Sequence, residues 1–188
     1  MALALRRDPG MRVAEYQAWV ADRPDEERWE LIDGEPVLLA PQSERHQQIV
    51  LNLSRKLSDI VRDRGCRAIP GIAVLSDAMD TFAPIPAVVV RCGPMLKDGY
   101  ARDSVLVAEV LSPSTMSRDR GRKTDFYRNI VSLKAFLIVY QDEPRVEVWR
   151  RAPDGGWAFE ARGLDGAIEL PEPGGRLAVA EIYDDIAF

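Results

Sequence analysis

Residues Val105 to Tyr127 read VLVAEVLSPSTMSRDRGRKTDFY. An apolar run of strand length closes at Ser112-Pro113-Ser114 and resumes as charged sequence with helical spacing. The stretch therefore predicts a buried strand, a short loop and a helix. Glu109 is the single charged residue of the run. Strand alternation places it on the face of Val105, Val107 and Leu111, where even an uncompensated polar group costs about 2–7 kcal/mol. A metal ion, a cation or water must then meet its carboxylate, and Pro113, which cannot donate to a ladder, puts the strand's end close by. Asp119, Lys123 and Tyr127 recur every fourth residue and share a helix face, so Asp119 can pair with Lys123. The loop Ser112 to Ser117 is short enough to turn that face back toward Glu109. The plain alternatives are a solvated carboxylate at the strand rim and an exposed ion pair worth roughly 0.2–0.5 kcal/mol.

The rest of the chain supplies one core for this stretch. Its 188 residues, 46% of them hydrophobic, suffice for a single domain over 1–188, with residues 1–11 as a loose terminus. The formal charge is −5, from 25 basic and 30 acidic side chains, so any polyanion site must be a local patch. Cys66 and Cys92 stand apart in apolar contexts without a CxxC pair. They read as buried thiols in a reducing cytosol rather than zinc ligands. No apolar run is long enough to span a bilayer. In MALALRRDPG the arginines follow the apolar piece, the reverse of a signal peptide, which predicts a cytoplasmic protein without a membrane role.

Arg12 to Asp22 has helical spacing of Val13, Tyr16 and Val20 and ends before Pro24. WELIDGEPVLL, from Trp29, is a hairpin split at Asp33-Gly34, with Glu30 on its first strand. An acid there ordinarily faces solvent. Ser43 caps a long helix to about Arg64, and Gly65 stops it. Ile49, Val50, Leu53, Leu57, Ile60 and Val61 form its core stripe. His46, the one histidine, lies in its first turn, where a helix end lowers its pKa; a satisfied structural histidine is the ordinary reading. Short strands follow at CRAI, IAVL and AVVVRC, the last a central strand next to the one bearing Glu109. KAFLIVY is another core strand. PRVEVWRR and Trp157 to Arg162, joined at Asp154-Gly155-Gly156, extend it as an antiparallel hairpin, and the tail ends in a short helix.

In this order, WELIDGE, SERH opening a long helix, a proline before a hydrophobic strand, EVLSPST and then D-x-x-x-K-x-x-x-Y resemble the Uma-type family. Those are bacterial proteins similar to restriction endonucleases, within the PD-(D/E)XK nuclease-like superfamily, and the likeness covers Val13 to Trp149. It implies an α/β (α+β) fold: a restriction-endonuclease-like mixed central sheet flanked by helices, with the hairpin as a C-terminal extension. It further implies a magnesium- or manganese-dependent endonuclease acting on nucleic acid, DNA before RNA. Glu109 then corresponds to the strand acid that binds the metal, and Lys123 to the catalytic lysine, because Leu111 stands where the superfamily motif has one. Glu30, His46 and Tyr127 match further pocket positions, with Asp119 as a buttress. Where the family has proline-aspartate, this chain has Pro86-Ala87. A metal ligand is missing at Ala87, either by natural degeneration or by an introduced change, and the site is expected to hold metal weakly or not at all. The neighbouring acids Asp77 and Asp80 offer no evident replacement.

Two functions follow. One is an impaired endonuclease; the other is a non-cleaving nucleic-acid-binding module that grips its ligand through Arg118, Arg120, Arg122, Lys123 and Arg128, unless that cluster is only a solvated helix face. The exposed hairpin strands could also pair two copies into a homodimer.

Overall fold

The structure, a computed structural model, describes residues 10–111, 120–170 and 174–188. Helix α1 (Val13–Val20) buries Val13 and Tyr16, and the Tyr16 hydroxyl donates to the Trp29 carbonyl at 2.6 Å. Strands β1 (Trp29–Ile32) and β2 (Glu35–Leu38) form the expected hairpin. Asp33 and Gly34 both take positive φ, 54° and 78°, as a type I′ turn requires. A Cβ on Gly34 would come 2.7 Å from the Gly10 Cα, so the turn also fits no larger residue there.

Helix α2 (Glu44–Val61) begins where the Ser43 hydroxyl oxygen accepts from the His46 N–H at 3.2 Å. A 3₁₀ turn over Arg62–Arg64 and Gly65 at φ 68° end it. Ile49, Leu53, Leu57 and Val61 are all buried along one stripe. Removing a side chain of this kind from water stabilises by about 1.5–3 kcal/mol, so the stripe fixes α2 on the sheet.

Next come β3 (Cys66–Pro70), β4 (Ala73–Val74), β5 (Val88–Cys92), β6 (Tyr100–Ala101) and β7 (Ser104–Leu111). After β7 the order is α3 (Arg120–Arg128), β8 (Ala135–Tyr140), β9 (Val146–Arg151), β10 (Trp157–Arg162), β11 (Ala167–Glu169), β12 (Arg176–Ala178) and α4 (Val179–Ile182). The central sheet has the order β10-β9-β8-β7-β5-β3; β7 and β8 are parallel and every other pair in it is antiparallel. Val88, Val89 and Val90 are wholly buried, as a central strand covered on both faces must be.

The sheet separates two apolar layers. One joins α2 and α4 to Val88, Val90, Leu106, Leu137 and Val148; the other joins Phe126 and Tyr127 of α3 to Val89, Val107, Phe136 and Ile138. Glu109 faces the α3 side with Val107 and Leu111. Val105 instead packs against the α2 layer, because the β5–β7 register shifts between Val90 and Arg91. The short strands β6, β11 and β12 carry too little pattern to be legible in sequence.

The cysteine expectation is corrected. Cys66 and Cys92 are register partners on β3 and β5 and are joined as a disulfide, so neither is a free thiol. Their separation of 26 residues hid a contact that the antiparallel pairing makes direct.

Candidate active site

Three elements far apart in the chain meet at the end of β7. From β1 comes Glu30, with only 2% of its side chain exposed, and from β7 comes Glu109; α3 supplies Lys123 and Tyr127. The Lys123 ammonium lies 2.9 Å from Glu30 Oε2 and 3.4 Å from Glu109 Oε1. The Tyr127 O–H donates to the same Glu109 oxygen at 2.6 Å, and the Ile85 backbone N–H donates to Glu30 Oε2 at 3.2 Å. Glu109 Oε2 accepts no hydrogen bond from the described residues.

Position in the fold explains each placement. Alternation along β7 turns Glu109 toward α3, and spacing on α3 puts Lys123 and Tyr127 on one face, one turn apart. The Leu31–Ala83 bridge holds β1 against the loop that leads into β5, and this pins Glu30 beneath Ile85. Burial raises the Glu30 carboxyl above the ordinary glutamate range; Lys123 opposes the shift and Glu109 adds to it. The Tyr127 phenol is pushed well above its usual pKa by burial first and then by the Glu109 charge, so it remains a hydrogen-bond donor.

These groups line a cavity of about 1070 Å³, together with Ala87, Val37, Val50 and His46. His46 is pushed below its ordinary pKa by burial, and the nearby Val110 backbone pulls it part of the way back. The direction is the one expected in sequence, but its cause is desolvation rather than the helix end. Its Nδ1 is buried without a hydrogen-bond partner among the described residues. Ala87 presents only a methyl to the cavity.

Most of the expected site thus converges: Glu109, Lys123, Tyr127, Glu30, His46 and position 87 share one cavity wall. Glu30 is buried rather than solvent-facing, which a four-residue strand could not reveal. Asp80 pairs with Arg12 at the surface, 3.1 Å away, and is absent from the cavity lining. The described members of the basic cluster meet different partners. Lys123 turns inward, Arg122 approaches Asp33 at 3.9 Å, and Arg128 lies over Trp149. Arg118 and Asp119 fall outside the described residues, as does the side chain of Arg120. Ile85, whose backbone N–H holds Glu30, carried no sequence signal.

A divalent ion is poorly served by this donor set. Among the described residues no group of three or more histidine, cysteine or acidic side chains could hold a metal. The Lys123 ammonium already occupies the place between two carboxylates that a cation would take, and Ala87 contributes no oxygen. The residues as they stand therefore do not fit a metal centre.

The profile of the Uma2 family, described as "Putative restriction endonuclease", matches residues 13–178. The chain belongs to the Uma2 family. Two Synechocystis sp. (strain ATCC 27184 / PCC 6803 / Kazusa) proteins resemble this Uma2 chain. "Uncharacterized protein slr1290" is 26% identical over 182 residues, covering 96% of this chain and 95% of that protein. "Uncharacterized protein sll1609" is 31% identical over 150 residues, 77% and 84% of the two lengths. Among solved structures, one described as "a putative nuclease belonging to DUF820" from Anabaena variabilis ATCC 29413 matches with a TM-score of 0.72 at 16% identity. It covers 92% of this chain and 97% of that one. At that identity the likeness shows a common fold, which this Uma2 chain builds from the mixed central sheet, its flanking helices and the C-terminal hairpin.

Proposed function

We propose that the cavity is a phosphodiester site of endonuclease type whose hydrolytic step is impaired by Ala87, leaving a protein that binds nucleic acid, DNA before RNA, and cuts it poorly or not at all. The observation that carries this reading is Lys123 held between Glu30 and Glu109 beside Ala87, in a Uma2 chain. Two carboxylates against one ammonium leave the centre negative, so a phosphate is repelled unless a further cation or a proton on Glu30 offsets the charge. Among the described residues the hydrogen bond from Tyr127 and the contact with Lys123 both fall on one Glu109 oxygen. That phenol and Lys123 orient the carboxylate. Magnesium is commonly held by one or two carboxylates with waters and substrate phosphates, so an aspartate at 87 would restore the second strand carboxylate.

The test is plasmid nicking in manganese by this chain beside Ala87→Asp, with Glu109→Ala added in the aspartate background. Cleavage by Ala87→Asp alone, lost in the double variant, is the expected result. Loss of one charge-stabilising group typically lowers a rate by roughly 10²–10³, so the parent chain should be slower by at least that factor. No cutting by any variant, with binding retained, would select the non-cleaving binding module.

A further inference from the structure

Arg128 Nε and Trp149 Nε1 are buried donors with no acceptor among the described residues, and they belong to side chains that touch. The Arg128 guanidinium stands over the Trp149 ring, 4.3 Å from its centroid, and makes no ion pair with the described residues. Orphaned buried donors are uncommon in folded proteins, so this pair calls for a ligand or a rearrangement. Arg151 makes the contrast. It also lies over an indole, that of Trp157, but its N–H groups donate to the carbonyls of Arg128, Ile130 and Leu133, so its role is to close the end of α3.

Strand register shows what surrounds Arg128. Val107 on β7 faces Phe136 on β8, Phe136 faces Trp149 on β9, and Trp149 faces Phe159 on β10. The rings are in contact: Phe136 and Trp149 are stacked at 5.6 Å, and Trp149 and Phe159 are 4.7 Å apart. Phe136 is also part of the cavity wall. At the other end Phe159 is 51% exposed, on a strand that pairs with β9 alone. A row of aromatic rings therefore leads from the cavity to the open edge of the sheet, one step along β7 from Glu109.

We propose that Trp149 and Phe159, backed by Phe136 and covered by Arg128, form a stacking track for the unpaired bases of a nucleic-acid strand. The inference rests on the reading of the cavity as a phosphodiester site and names the form of substrate that site receives. With both carboxylates ionised the centre repels a strand, whereas base stacking on aromatic rings is indifferent to that charge and to sequence. The Arg128 guanidinium is planar and occupies the indole face as a base would. Displaced by a base, it is free to direct its N–H groups at the adjoining phosphate, which gives Nε an acceptor. A duplex keeps its base faces covered and lacks this mode of contact.

The experiment is fluorescence anisotropy at low salt with labelled oligothymidine of about 15 nucleotides, within the range one such surface spans, and with a duplex of equal length. Wild type, Phe159→Ala and Phe159→Trp are compared, with thermal melts to confirm folding. The expected result is tighter binding of the single strand, a loss of roughly 5- to 150-fold in Phe159→Ala, and recovery in Phe159→Trp. Equal affinity of Phe159→Ala and wild type for the single strand, or preference for duplex, overturns the track while leaving the phosphodiester reading intact. Sedimentation that shows Phe159→Ala dissociating a dimer at unchanged affinity assigns the face to a second copy of the chain and also overturns it. Absence of binding to either oligonucleotide by wild type removes the phosphodiester reading itself, and the track with it.

Discussion

Lys123 and Glu30 form a nearly dry ion pair: the ammonium lies 2.9 Å from Glu30 Oε2, with the side chains 15% and 2% exposed. The same ammonium reaches Glu109, so one lysine compensates two carboxylates drawn from strands on different sheets. Breaking such a pair from one side leaves a buried charge behind. Lys123→Met is therefore expected to destabilise the protein by about 3–5 kcal/mol, measured by urea unfolding. Adding Glu30→Gln should recover part of that loss, since the buried charge goes with it. Equal losses in the single and double variants would show that Lys123 acts through packing instead.

The pH dependence of stability carries the signature of Glu30. Its folded-state pKa is raised by burial, so the native protein binds this proton more tightly than the unfolded chain does. Stability is then fully present below the ordinary glutamate value, about 4.3, and declines as pH rises through the raised value. Melting curves from acid toward neutral pH should show wild type losing stability relative to Glu30→Gln across that window. A constant difference between the two would contradict the assignment.

Asp103 has the opposite sign. The Arg91 guanidinium, itself 3% exposed, donates from Nε and Nη2 to the two Asp103 oxygens at 2.7 Å each and lowers the carboxyl's pKa. Its contribution is present above the ordinary aspartate value, about 3.9, and is lost as pH falls through the lowered one. Wild type should exceed Asp103→Asn in melting temperature at neutral pH, and the gap should close in strong acid.

The disulfide between Cys66 and Cys92 ties two neighbouring strands of the central sheet and closes a 26-residue separation. Chain-entropy reasoning gives about 3.5 kcal/mol for a closed loop of that size. The Cys66→Ser/Cys92→Ser variant is expected to lose stability on that scale under non-reducing conditions and to match wild type in dithiothreitol. Thiol titration of denatured, unreduced protein should find no free cysteine; two free thiols would refute the bond.

What the sequence by itself determined was local. Asp33-Gly34 dictates its turn through backbone sterics, the capped apolar stripe from Ser43 dictates α2, and the runs around Val88 and Val107 dictate buried strands. The spacing of Lys123 and Tyr127 puts both on one face of α3, and the motif order marks the family and, with it, the nuclease-like fold. Apart from the motif order, each of these depends on residues within a few positions of one another, where helical and strand periods act directly. Only the tertiary structure decided that Glu30 is buried under Lys123, that Cys66 meets Cys92, that Arg122 and Arg128 of α3 part company, and that Phe136, Trp149 and Phe159 align from the cavity to the sheet edge. Those contacts are set by register between strands distant in the chain and by which face each strand presents. A single-residue shift in that register would turn every one of these side chains away from its partner.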